Sequence, residues 1–209
     1  MCGIFGALLL RGFDQSIAQE VLDRVNDLAV LNISRGTHSA GIARIDYPKT
    51  RIGTVALFKD IGSARILVDT KSWRKTAVIR KTTTAILGHT RHATHGKVSS
   101  RNAHPFHIGG IVGIHNGVIY DILKDFPDCE VDSEAAIALI QKVGLPKIKE
   151  YSGSAAIAFI DLADPTKLHL FRDSNPIHVY VNYKNKYILF SSEEQHIDSV
   201  IDSKEMYEY

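Results

Sequence analysis

The order of residue patterns along the chain is its strongest constraint on fold. A nearly unbroken apolar run, Cys2–Leu10, reads as a buried first strand. The last third reads as an antiparallel series with short turns: Ser154–Asp161, Lys167–Asp173, Ile177–Tyr183 and Tyr187–Ser191. Further strands are expected at Ser39–Asp46, Thr54–Lys59, Thr82–Gly88 and Gly110–His115. Two stretches carry helical spacing instead. In Ser16–Asn32, apolar Ile17, Val21, Val25 and Leu28 share one face, and Ser16 with Gln19 has the spacing of a capping box. Ser133–Val143 is the second helix, and Ser192 with Gln195 opens a short terminal one. Strands first and last with helices between them imply an α+β fold of stacked sheet and helix layers. With no repeat, low-complexity segment or linker, residues 1–209 are expected to form one domain.

Composition narrows the function. The 25 basic and 23 acidic side chains leave a net charge of +2, against the strong basic excess usual for nucleic-acid binding. The basic run Lys71-Ser72-Trp73-Arg74-Lys75, with Arg80-Lys81, reads as a solvated face, and partner docking is its second reading. No apolar run reaches the roughly 20 residues that span a bilayer. The start of the chain lacks a basic flank, and Arg11 stands where a cleavage site would lie, so a cytoplasmic protein is expected. The two cysteines, Cys2 and Cys129, then read as free thiols.

Four groups of residues could carry chemistry. Removal of Met1 would leave Cys2 with a thiol and a free α-amine, a nucleophile with its own base. The bland alternative is a small buried cysteine in a strand. Six of the ten histidines fall between positions 89 and 115, which invites a metal site. His89, His92 and His95 follow a strand pattern, however, so residues three apart point to opposite faces, and no acidic ligand interleaves with them. No metal is expected. Arg91 among them fits a planar fork for a carboxylate, or else a surface ion pair. Asn116-Gly117 after an apolar strand offers two donors for an oxyanion, although Asn-Gly is also the commonest tight-turn dipeptide. Asp132 at a helix start is either a cap or an acceptor for a substrate ammonium.

Taken in order, these residues resemble a known family. Cys2-Gly3-Ile4-Phe5-Gly6, Arg35-Gly36-Thr37-His38-Ser39-Ala40-Gly41-Ile42, His89-Thr90-Arg91-His92-Ala93-Thr94-His95-Gly96, Asn102-Ala103-His104-Pro105, His115-Asn116-Gly117 and Asp132-Ser133-Glu134 are similar to the class II glutamine amidotransferase domain. Within it, the His89–Gly96 stretch looks most like the glutaminase half of glucosamine-6-phosphate synthase. The resemblance runs from Cys2 to about Glu193 and implies the N-terminal-nucleophile (Ntn) hydrolase fold, two antiparallel sheets between helix layers (αββα). It implies Cys2 as nucleophile on the L-glutamine side-chain amide, with Asn116 and the Gly117 N–H as oxyanion hole. Arg91 would grip the substrate carboxylate with Thr94 and His95 lining that end, and Asp132 would hold the ammonium. Arg35 and Gly36 would support the nucleophile's loop. No cofactor is implied.

Three departures stand out. His92 replaces a usual aromatic residue, often Trp, and His38 replaces an acidic one. Where relatives continue into a synthase domain, this sequence stops at Tyr209 and lacks the expected last strands, so a separate synthase subunit is the expected recipient of ammonia. The basic run and the edge near Ser192–Tyr209 are its expected docking surfaces. Two other readings remain: the same machinery acting on another amide or γ-glutamyl compound, and a catalytically inactive binding module of the same fold.

Overall fold

The computed structural model describes residues 1–48, 52–94 and 96–201. Among these described residues, ten strands form two antiparallel sheets. The first holds β1 (Gly3–Leu9), β2 (Ser39–Asp46), β3 (Thr54–Ile61), β4 (Thr83–Arg91), β9 (His178–Asn182) and β10 (Tyr187–Ser191), in the order β3-β2-β4-β1-β10-β9. The second holds β5 (Phe106–Ile108), β6 (Ile111–Ile119), β7 (Gly153–Asp161) and β8 (His169–Arg172), in the order β5-β6-β7-β8. Helix α1 (Ala18–Leu31) packs on the first sheet with the short α2 (Ala64–Leu67), α3 (Lys71–Thr76) and α6 (Glu194–Asp198). Helix α5 (Asp132–Val143) packs on the second, with α4 (Ile122–Asp125) beside it.

Strand alternation builds the layers. In β1, Phe5, Ala7 and Leu9 meet the first helix layer, while Ile4 and Leu8 face the other sheet. In β4, Ile86 faces the helices and Ala85 and Leu87 face inward. In β6, Val112 and Ile114 point into the space between the sheets, and Ile111 and Ile119 pack toward α5. Each sheet thus buries both faces, giving three apolar layers and the expected four-layer αββα sandwich.

The basic run lies largely on α3. Lys71, Ser72, Arg74 and Lys75 are exposed, as expected of a solvated face, and Trp73 is fully buried. The indole Nε1–H donates to Asn26 Oδ1 at 2.9 Å, so the ring enters the core with its one polar group paired.

Three local expectations change. The Ser16/Gln19 capping box does not form, because Asp14 Oδ1 accepts the Ser16 N–H at 2.8 Å and starts a short 3-10 turn over Gln15–Ile17. Ser192 opens no helix; its hydroxyl accepts the Ile4 N–H at 2.9 Å and its own N–H donates to Ile4 O, tying the end of β10 to β1. Most important, β6 continues through Asn116-Gly117, pairing them with Ala156 and Ala155, so this dipeptide makes no turn. Gly117 sits at φ 150°, and a Cβ there would lie 1.9 Å from Ser154 O, so only glycine lets the strand run on.

Candidate active site

The intersheet layer is apolar along most of its length and turns polar at one end. Continuing the alternation explains which residues gather there. On β1, the parity of Ile4 and Leu8 puts Cys2 between the sheets. On β4, that of Ala85 and Leu87 carries on to His89 and Arg91; on β6, that of Val112 and Ile114 carries on to Asn116. The register pairs Gly3 with Thr90, so Cys2 and Arg91 lie one step further on neighbouring strands. Period-two geometry alone brings a thiol, a guanidinium and a carboxamide from three strands to one spot.

Their contacts are specific. The Cys2 backbone N–H donates to Asn116 Oδ1 at 3.1 Å. Asn116 is buried, and its Nδ2 has no hydrogen-bond partner among the described residues. A buried amide nitrogen without an acceptor is costly unless a ligand supplies one. Asn116 O accepts from Asn175 Nδ2 at 3.1 Å, and the same nitrogen reaches Ser154 Oγ at 3.1 Å. The Cys2 thiol is half-buried; its Sγ lies 3.4 Å from the donating His92 N and 3.5 Å from His92 O. Burial pushes the thiol above its ordinary titration range, an effect the Asp132 carboxylate adds to. The His92 N–H, the chain's terminal ammonium and Arg91 pull it back down.

Arg35 and Gly36 brace this arrangement from behind. Arg35 Nε donates to Cys2 O at 2.7 Å, and its guanidinium pairs with Glu193. A Cβ on Gly36 would fall 2.4 Å from Arg91 C and 2.5 Å from His92 N, so only glycine lets the Arg91–His92 peptide pack this closely.

Arg91 is buried at the end of β4 and donates to Lys97 O at 3.0 Å. Burial disfavours its charged form, and the nearby Cys2 and Asp132 favour it. Asp132 starts α5 half-buried; its Oδ2 accepts the Ile119 N–H and its Oδ1 the Ser133 N–H, each at 2.9 Å. It therefore joins the end of β6 to α5, and a carboxylate keeps acceptor capacity beyond two bonds. Thr94 is exposed just past β4, and His95 lies outside the described residues.

Three other histidines, His89, His104 and His115, are core residues. His89 and His104 are fully buried and stacked with ring centroids 3.9 Å apart, and His89 Nε2 meets His115 O at 3.0 Å. His115 points toward α5, where its Nδ1 lies 2.8 Å from Ser133 Oγ. Burial holds all three below the ordinary histidine range, His89 down to about 3. Among the described residues, no group of three or more His, Cys, Asp or Glu is arranged to hold a metal ion. No helix among them is long and apolar enough to cross a membrane.

Sequence reasoning gave no role at this site to Asn175, Glu193 or Ser192, which reach it from late in the chain. Asn175-Pro176 carries a turn signature, but nothing local shows that the Asn175 amide reaches Asn116.

No protein-family profile matches the chain. Similar proteins include glutamine--fructose-6-phosphate aminotransferase [isomerizing] of Buchnera aphidicola, 28% identical over 90% of this chain and 31% of that protein. The same enzyme of Methanosarcina acetivorans is 36% identical over 44% of this chain and 20% of its own length. The chain therefore spans about a third or less of these curated relatives. Among solved structures, glutamine phosphoribosylpyrophosphate amidotransferase from B. subtilis superposes with a TM-score of 0.69 over 95% of this chain and 43% of its own, at 18% identity. That likeness is one of fold, and it matches the two-sheet sandwich described above. Sequence likeness along nine-tenths of its length, joined to this fold, supports a class II glutamine amidotransferase domain.

Proposed function

We propose that this domain hydrolyses the side-chain amide of L-glutamine to glutamate and ammonia through a Cys2 thioester. The observation that carries this reading is the Cys2–Asn116 pair. One end of the Asn116 amide is anchored on the Cys2 nitrogen, and the other is a buried donor with no partner among the described residues.

In this mechanism, loss of Met1 converts the Cys2 nitrogen to an α-amine with a reference pKa of about 7.7–8.0, suited to take the thiol proton through a water. The sulfur attacks the amide carbon, and the charge that develops on oxygen is met by Asn116 Nδ2–H and the Gly117 N–H. The amine returns the proton to the departing nitrogen, releasing ammonia and leaving a γ-glutamyl thioester on Cys2. Water then attacks the thioester carbonyl, the proton returns to sulfur, and glutamate leaves. Arg91 takes the substrate carboxylate as a bidentate fork, Asp132 takes the ammonium, and Thr94 and His95 line that end.

Ammonia is mostly protonated and non-nucleophilic near neutral pH. We therefore propose that it is delivered to an acceptor held on a separate protein. The test is ammonia and glutamate release from glutamine, asparagine and γ-glutamyl amides, with and without lysate from the native source. Equimolar release from glutamine, rising with the partner present, is expected. Turnover of γ-glutamyl amides in preference to glutamine would favour a different amide substrate. No turnover by a chain that still binds glutamine would mark an inactive module.

A further inference from the structure

His38 and His92 come from separate segments, yet their rings stack with centroids 4.9 Å apart and planes inclined by 22°. His38 is half-buried and touches the end of β4 in two further ways. Its backbone N–H donates to Arg91 O at 3.0 Å, and its Nδ1 accepts the Ala93 N–H at 3.0 Å. Together with Gly36 under the Arg91–His92 peptide, these contacts grip residues 91–93 on both sides. The gripped segment brings the His92 N–H to within 3.4 Å of Cys2 Sγ.

An imidazole nitrogen that accepts a hydrogen bond carries no proton, so this contact requires the neutral His38 tautomer with its hydrogen on Nε2. The interaction is also directional. The Ala93 N–H takes its acceptor from the Nδ1 position, and the next peptide toward the N-terminus is the one donating to sulfur. We propose that His38 is a positioning residue for the Cys2 thiol: through Nδ1 it fixes the Ala93 peptide, and thereby the His92 N–H that bonds Cys2 Sγ.

The proposal rests on the reading of Cys2 as nucleophile. A hydrogen bond to sulfur favours thiolate over thiol, so weakening it lowers the thiolate fraction at a given pH. Arg91 stays on β4, paired with Ser39, so glutamine binding is less affected than thiol reactivity.

The test uses the full chain and measures the pH dependence of Cys2 alkylation by iodoacetamide. Mass spectrometry of the N-terminal peptide keeps Cys129 separate. In His38→Ala, the Cys2 midpoint is expected to rise by about one pH unit, a tenfold loss of thiolate at fixed pH. The kcat for glutamine should fall similarly while KM changes less than threefold. His38→Asn offers Oδ1 where Nδ1 stood and is expected to restore the midpoint. An unchanged midpoint in a folded His38→Ala, or an Asn variant as impaired as Ala, overturns the proposal. Nitrogen-15 spectra of the parent's histidine side chains give a check that needs no variant: a proton on His38 Nδ1 at neutral pH would contradict it. Should the parent show no glutaminase activity, the proposed function fails, while the alkylation and tautomer measurements still decide the role of His38.

Discussion

The Cys2 backbone nitrogen and Asn116 Oδ1 are 3.1 Å apart, although 114 positions separate them in the chain. The bond does not depend on Met1, because an α-amine at Cys2 donates as well as a peptide N–H does. It also orients the carboxamide: with Oδ1 committed to Cys2, Nδ2 is the end left without a partner among the described residues. Asn116 thereby links the base and the oxyanion donor of the proposed reaction.

Replacing Asn116 with Ala should lower kcat by about 10²–10³, the usual effect of removing one oxyanion donor. Glutamine KM should change much less. Steady-state ammonia release is the check, and a loss under tenfold would leave Asn116 as a structural residue only.

Arg91→Lys should act mainly on binding. A lysine ammonium keeps the charge but cannot form the two parallel bonds of a guanidinium on a carboxylate. Glutamine KM should rise by tenfold or more with a smaller change in kcat, and an unchanged KM would remove Arg91 from the carboxylate site.

Asp132→Asn separates the structural role of this carboxylate from its proposed role at the substrate ammonium. The carboxylate accepts the Ile119 and Ser133 N–H groups, so some loss of stability is expected with any ligand. A charge-assisted bond to a substrate ammonium, worth about 1.5–3 kcal/mol, exists only with L-glutamine. Calorimetric titration should show a larger loss for L-glutamine than for its analogue lacking the α-amine. Equal losses would limit Asp132 to holding α5 against β6.

The buried histidines make stability depend on pH with a definite sign. His89, at about 3, His104 and His115 all titrate below the unfolded value near 6.5, so the folded chain keeps them neutral. Below about pH 6.5 the unfolded state takes up protons that the folded state refuses. Their contribution is therefore complete above that pH and is lost as pH falls below it, for His89 down to about 3. Each histidine contributes a slope of up to about 1.4 kcal/mol per pH unit. Urea unfolding at pH 7.5, 6.5, 5.5 and 4.5 should show a decline that starts below 6.5 and is shallower in His104→Phe. A flat profile would contradict it.

Much of the architecture was legible because strand parity and helical spacing are local properties. The Cys2–Leu10 run set β1, and the same parity carried Cys2 between the sheets. The Val21, Val25 and Leu28 spacing gave α1 its buried face, though not its start, where Asp14 rather than Ser16 supplies the acceptor. Asn116-Gly117 was harder. Its turn propensity is real, and the contact with Ser154 O that keeps it extended comes from a strand about forty residues later. The three-residue β5 is too short to show any period. The stacking of His38 on His92 was illegible for a related reason: each looked like an isolated departure, and only the pairing of β2 with β4 brings them together.

The central claim is a covalent glutamyl intermediate on Cys2. The most direct measurement is acid quenching during glutamine turnover, followed by peptide mapping by mass spectrometry. The account predicts an N-terminal peptide that begins at Cys2, without Met1, and carries one glutamyl group on sulfur. The adduct should be absent in Cys2→Ala and should increase when thioester hydrolysis is slowed by cooling. Glutamate release by a chain whose N-terminal peptide retains Met1, or continued turnover by Cys2→Ala, would contradict it.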